Sequence, residues 1–245
     1  LGTEATDNTI EGRSRAAITA ARPTIVDRNG LEMAVDIRVP SLYAEPRRII
    51  DVDEAVEKLR TVLPDLDPAW LKSKLSGDKG FVWIKRKLTP EIEDRIYQLG
   101  IPGLDFLTES RRFYPGGPEA SDILGSVNTD NQGIGGIEQY LDKQDLDVLQ
   151  QTGIANGQNL KPVQLSIDMR VQHAMRQELL AGLAKFKAKD DAAVMIDIKT
   201  GEVVALVSLP DFDPNDPSSM VAPYNGEAGM RINRITAGKY ELGST

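Results

Sequence analysis

Residues 194–209, VMIDIKTGEVVALVSL, hold two apolar alternations around a polar turn. Val194, Ile196 and Ile198 fall on one face, Lys199-Thr200-Gly201-Glu202 supplies the turn, and Val203, Ala205, Val207 and Leu209 return. A period of two on both sides of a Gly-bearing turn predicts an antiparallel hairpin. Just upstream, Val163, Leu165 and Ile167 alternate as a strand. Residues 171–186 then repeat as a helix with Met175, Leu179 and Leu183 on one side. Strand, helix and antiparallel hairpin in that order exclude a regular βαβ chain and predict an α+β fold.

The first half of the chain is also mixed. Thr24-Ile25-Val26, the Asn-Gly turn Asp27-Arg28-Asn29-Gly30 and the apolar run after it read as a hairpin. After Asp53, the residues Ala55, Val56, Leu59, Val62 and Leu63 share a helical face that ends at Pro64. Asp67-Pro68 and Thr89-Pro90 open two short helices by placing a capping side chain before a proline at the first helical position, and Gly100 ends the second. Residues 81–88 between them read as a strand. Residues 1–21 read as a polar arm, 22–160 as one domain and 161–245 as the opening of another. The prolines at 210, 214, 217 and 223 mark loop.

Composition narrows the chemistry. The 245 residues contain no Cys and one His, so thiolate catalysis, zinc fingers and iron–sulfur clusters are impossible and histidine-rich metal sites are excluded. No cofactor is expected. Any Ser-His-Asp triad would need His173, which sits mid-helix where an ordinary surface histidine is the simpler reading. With 29 basic and 37 acidic residues the net charge is -8, which disfavours binding along a phosphate backbone, so no nucleic-acid partner is expected. The longest apolar runs fall well short of the ~20 residues that span a bilayer.

Two patterns invite misreading. Gly133, Gly135 and Gly136 could suggest a phosphate loop, but no strand leads into them and no Gly-Lys-Ser/Thr follows. Ser76-Gly77-Asp78-Lys79, Ser126-Val127-Asn128 and Lys199-Thr200-Gly201 imitate the triplet of penicillin-recognising enzymes in the right order. Gly77, Asp78 and Gly80 make the first a turn rather than the rigid helix that a serine–lysine pair requires. The third is a hairpin tip.

Several motifs together resemble the class B penicillin-binding proteins, and most closely their division-specific branch. Arg22 to Ala34, RPTIVDRNGLEMA, is similar to the opening motif of that family, with Arg22, Asp27, Arg28 and Gly30 in place and Pro23 where glycine is usual. Arg112-Phe113-Tyr114-Pro115 with Leu124-Gly125 resembles the second motif, and Gly133 through Gly136-Ile137-Glu138-Gln139-Tyr140 the third. Residues 163–168 with Gln172, the 197–209 hairpin and Asp213-Pro214-Asn215 resemble the entry to the transpeptidase domain. Tyr240-Glu241-Leu242-Gly243-Ser244-Thr245 resembles the nucleophile segment, in which a lysine follows the serine by three residues.

The resemblance implies a non-catalytic pedestal of the dimerisation type over 22–160, in which the three motifs pack together. Glu138 is then expected to be partly buried, within ion-pair distance of Arg22 or Arg28. It further implies Ser244 as the nucleophile of a peptidoglycan D,D-transpeptidase that acylates on a stem peptide or on a β-lactam. An alcohol is a weak nucleophile, so a desolvated lysine one helical turn away would have to act as base. The implied setting is the periplasmic side of the inner membrane, with an anchor upstream of Leu1 and division proteins, including a septal glycosyltransferase, as partners. The chain as given is expected to be inactive alone. The readings kept beside it are a β-lactam sensor or β-lactamase of the same fold, and a non-enzymatic interaction module.

Overall fold

The computed structural model describes residues 22–143, 155–156, 159–220 and 233–238. The chain groups into two units, one of residues 37–111 and one of residues 22–36 with 112 onwards. Both are mixed α and β.

In the 37–111 unit, the far half of β2 (Glu32–Ala44) runs antiparallel to β3 (Val82–Lys85), with Leu42 opposite Lys85 and Tyr43 opposite Trp83. Three helices follow the predicted spacing. On α1 (Val52–Val62) the buried residues are Ala55, Leu59 and Val62, one stripe of a 3.6-residue period. The helix starts before Asp53, because the Asp51 carboxylate accepts from the N–H groups of Asp53 and Glu54 at 3.0 Å and so caps the first turn. On α2 (Pro68–Leu75) the cap is Asp67, which accepts from Trp70 N at 2.7 Å. Thr89, before α3 (Pro90–Tyr97), makes no such cap; its hydroxyl is bonded to the Glu91 carboxylate instead. Leu42, Leu59, Leu71, Leu75, Ile84 and Ile96 close the core of this unit. The strand expected over 81–88 is confined to β3, since Lys87 has a φ of 58° and its N–H turns to Ser41 Oγ at 2.8 Å.

Ser76 ends α2: its hydroxyl donates to Lys72 O at 2.7 Å, and Gly77 beyond it has a φ of 130°. The Ser-Gly-Asp-Lys stretch is therefore a turn and holds no serine–lysine pair on a helix.

In the other unit, β1 (Ile25–Val26) pairs antiparallel with the start of β2 and parallel with β7 (Val163–Gln164). β4 (Leu104–Phe113) pairs with β2; its residues up to 111 belong to the 37–111 unit, and Arg112 and Phe113 to this one. Short helices α4 (Ser121–Leu124) and α5 (Gly136–Lys143) follow, then a small antiparallel pair, β5 (Ala155–Asn156) and β6 (Asn159–Leu160). The predicted helix is α6 (Met169–Phe186), and it packs Met175, Leu179 and Leu183 against Val207 and Leu209 of the predicted hairpin. The hairpin strands are β8 (Asp191–Ile196) and β9 (Val203–Leu209). Ile198 does not continue the alternation. It is 95 % exposed, because Asp197 has already begun the turn, its carboxylate accepting from Lys199 N at 2.8 Å and its carbonyl from Gly201 N at 2.8 Å. Among the described residues no helix is long and apolar enough to cross a membrane.

Candidate functional site

Three stretches far apart in sequence meet at Glu138, whose side chain is fully buried near the start of α5. Arg22 Nε donates to Oε2 at 2.8 Å and Arg112 Nε to Oε1 at 2.7 Å, so each carboxylate oxygen receives one guanidinium N–H. Arg22 also donates through Nη2 to the Glu138 carbonyl at 2.7 Å and through Nη1 to Asp142 Oδ1 at 2.6 Å and Asn131 O at 2.9 Å. Arg112 reaches Asp36 Oδ1 at 3.1 Å and Pro23 O at 2.8 Å. Charge buried at this depth persists only where such partners replace water. Beside it Tyr114 is buried, and burial first and the Glu138 carboxylate second push its hydroxyl well above the usual phenol range.

Glycines allow the backbones to approach. Gly125 has a φ of 72°, and a Cβ there would lie 2.0 Å from Gly135 O. Gly136, with a φ of 57°, would place a Cβ 2.4 Å from Gly125 N, and Gly133 one 2.2 Å from Glu138 O. The Gly-rich stretch is thus a backbone lock around Glu138, not an anion cradle.

The remaining motif residues fall nearby but not on Glu138. Arg28 turns away and pairs with Glu202 Oε2 at 2.7 Å, half exposed, while Ile167 O takes its N–H. Gly30, with a φ of 85°, closes the turn by donating its N–H to Asp27 O. Pro115 is exposed in the turn where Gly117 N donates to Tyr114 O. Asp27 is buried and accepts from Asn29 N, Leu31 N and Met169 N at 2.7, 2.9 and 3.2 Å. Burial alone would raise its pKa, but the N–H bonds outweigh it and hold it below the ordinary value. Through Met169, the first motif thereby stabilises the N-terminus of α6, whose own cap is Asp168. One turn on, buried Gln172 accepts from Leu206 N at 2.8 Å and donates to Leu206 O and Glu119 O, both at 2.7 Å.

Sequence reasoning missed Asp36 and Asp142, which complete the arginine network. Both had a signal: Asp36 breaks an apolar strand run, and Asp142 lies one helical turn after Glu138. Glu138 and the two guanidiniums are mutually consumed, and no group of three or more potential metal ligands occurs among the described residues. The arrangement holds structure together and offers no nucleophile. Ser244 and the whole 240–245 segment lie outside the described residues, as does the expected arm at 1–21.

Comparison with known proteins gives two matches in order along the chain. Residues 17–158 match the penicillin-binding protein dimerisation domain, and residues 192–245 match the penicillin-binding protein transpeptidase domain. The chain is 35 % identical to the probable peptidoglycan D,D-transpeptidase FtsI of Caulobacter vibrioides over 93 % of its own length and 36 % of that protein's. It is 30 % identical to the peptidoglycan D,D-transpeptidase FtsI of Escherichia coli K12, over 93 % of this chain and 41 % of that one. To the probable D,D-transpeptidase PenA of Neisseria gonorrhoeae it is 31 % identical, over 93 % and 42 %. The chain thus spans about two fifths of the relatives it matches. In fold it resembles penicillin binding protein 2X of Streptococcus thermophilus, with a TM-score of 0.53 and 19 % identity over 86 % of this chain and 37 % of that one.

Proposed function

We propose, because this chain belongs to the penicillin-binding protein family, that the whole protein is a peptidoglycan D,D-transpeptidase that cross-links the septal cell wall. The observation that carries the reading is the alignment of 93 % of the chain with relatives bearing the D,D-transpeptidase name. Residues 22–160 would serve as the pedestal and 161–245 as the start of the catalytic domain.

In this reading Ser244 Oγ attacks the carbonyl of the penultimate D-alanine of a stem peptide. A lysine base takes the hydroxyl proton, the terminal D-alanine leaves as its amine, and an ester to Ser244 remains. An amine from a neighbouring strand then attacks that ester, restoring the serine and forming the cross-link. A β-lactam would enter by the same attack, its ring amide opening onto Ser244. No cofactor takes part. The setting we propose is the periplasmic face of the inner membrane, with an anchor upstream of Leu1 and division proteins, including a septal glycosyltransferase, as partners.

The test is mass spectrometry with peptide mapping of the full-length protein after treatment with penicillin. An adduct on Ser244 that disappears in Ser244→Ala is expected, and so is no labelling of the 245-residue chain alone. An adduct on Ser76 or persistent labelling of the alanine variant would overturn the assignment.

A further inference from the structure

Asn29 and Gly30 form the corner of the first motif's turn, and the Asn29 side chain has no part in the chemistry above. The residue is exposed, yet its amide is engaged. Asn29 Nδ2 donates to Asp27 Oδ2 at 3.2 Å. The same side chain is bonded to Asp168, whose carboxyl is held far below the ordinary range by Arg170 first and by Asn29 among its further partners. The NH2 group thus serves the two carboxylates at the N-terminus of α6, Asp27 on Met169 N and Asp168 on Arg170 N. Backbone bonds hold the corner as well. Asp27 O accepts from Gly30 N at 3.1 Å, Ile167 O from Arg28 N at 2.9 Å, and Arg28 O from Gln164 Nε2 at 3.0 Å.

An asparagine before a glycine carries a reaction within itself, because no Cβ hinders the following nitrogen. Gly30 N, once its proton has passed to hydroxide, attacks Asn29 Cγ. The Cγ–Nδ2 bond breaks, Nδ2 takes a proton from water and leaves as ammonia, and a five-membered imide remains. Water then opens the imide at either carbonyl to aspartate or isoaspartate, so the net change is OH for NH2. In the docked turn both reactants are tied, Gly30 N–H to Asp27 O and Nδ2 to the two carboxylates. The product does not fit back. A carboxylate at position 29 has no donor for Asp27 or Asp168 and sets a third negative charge beside them. Isoaspartate also lengthens the backbone by one carbon between Asp27 and the N–H groups of Gly30 and Leu31 that bond to it.

We infer that Asn29-Gly30 is a self-modification site, guarded while the first motif is docked on α6 and converted irreversibly once the two part. Deamidation there makes a transient opening of the turn permanent.

The test follows the full-length protein by peptide mapping during incubation at mildly alkaline pH, folded and in guanidinium chloride. The pairs Asn156-Gly157 and Asn225-Gly226 give references in the same digest. In denaturant all three should convert at similar rates, because the dipeptide alone then decides. Folded, Asn29 should convert at least about tenfold more slowly than in denaturant, in proportion to the fraction of turns open. Asp168→Asn keeps an oxygen to cap Arg170 N but has fewer lone pairs for the Asn29 amide, so it should speed conversion at position 29 of the folded protein several-fold. Asn29→Asp reproduces the product without the longer backbone and should raise amide exchange at Leu31, Met169 and Gln172. That rise should shrink as the pH falls and the protonated acid regains a donor, which loss of shape alone would not produce. Equal conversion at position 29 in folded and denatured protein, or an unchanged rate in Asp168→Asn, would overturn the guarding. Exchange at Met169 and Gln172 in Asn29→Asp equal to that of wild type would overturn the link between conversion and release of α6.

Discussion

Arg22 Nε and Glu138 Oε2 stand 2.8 Å apart across 116 positions of sequence, both side chains almost wholly removed from solvent. A pair buried this deeply contributes little over an apolar replacement of the same shape, but removing one partner strands the other. Glu138→Ala leaves two guanidiniums without their carboxylate and should lower unfolding stability by ~3–5 kcal/mol. Glu138→Gln, which keeps one acceptor oxygen and the volume, should lose less. Urea unfolding of the two variants side by side measures the difference, and equal losses would show that the lost charge, which the variants share, decides rather than packing.

Gly125 and Gly201 share a positive φ and together test the backbone lock. Their φ values are 72° and 76°, but a Cβ at Gly125 would lie 2.0 Å from a carbonyl oxygen while one at Gly201 meets nothing within 4 Å. Alanine at either site incurs a positive-φ penalty of roughly 1–2 kcal/mol or more, and the larger share falls on Gly125, whose ψ of −142° lies outside the left-handed helical well. Only Gly125→Ala adds a clash between backbones that cannot rotate away, so its melting temperature should fall well below that of Gly201→Ala.

The pH profile of stability should carry the signature of Asp122. Burial, and then the Asp211 carboxylate, raise its pKa to about 7. Between its ordinary value near 3.8 and about 7 the folded state holds a proton that the unfolded chain releases, so this group makes stability fall as pH rises through that window. Asp122→Asn should raise the melting temperature at pH 8 and leave it unchanged at pH 4, with an upper bound of about 4 kcal/mol for three pKa units. Asp27 acts in the opposite sense: its lowered pKa contributes stability above its ordinary value, lost as pH falls through the folded value. In Asp27→Asn the acid limb of the profile should therefore be shallower.

Gln172 should tolerate no apolar replacement. Gln172→Leu conserves much of the volume but leaves Leu206 N–H without its acceptor and two carbonyls without a donor. Unpaired buried groups cost about 1–3 kcal/mol each. Because these bonds join α6 to β9, amide exchange at Leu206 should rise more than at Ala193 on the neighbouring strand.

What the sequence could reveal was whatever depends on local period and local caps. The α6 stripe, the 194–209 hairpin, Asp67 as a cap and Gly30 in its turn were all legible, because each is decided within a few residues. Ile198 misled because alternation does not register that Asp197 begins the turn. Asp51 displaced Asp53 as the boundary of α1 because two carboxylates competed for one helix end, and only hydrogen-bond direction separates them. At Glu138, family resemblance indicated an arginine partner. Asp36 and Asp142 carried only local signals, a carboxylate in a strand run and one a helical turn after Glu138; that both face guanidiniums from distant segments required three-dimensional closure. Arg28 stood as near to the pattern as Arg22, yet its side chain leaves the turn on the side of Glu202.

The span between Arg22 and Glu138 also sets a timetable for the nascent chain. At synthesis rates of 5–20 residues per second, Arg22 exists for roughly 6 to 23 seconds before its carboxylate has been made. The core around Leu59 and Leu71 draws only on residues between 42 and 106, so every part of it is available during that interval. The ends of the first motif must remain open meanwhile. Closure of the ion network then reports that the chain has been made beyond the inserted 37–111 segment, and a chain released between Arg112 and Glu138 would leave Arg22 with no carboxylate and Arg112 with Asp36 alone.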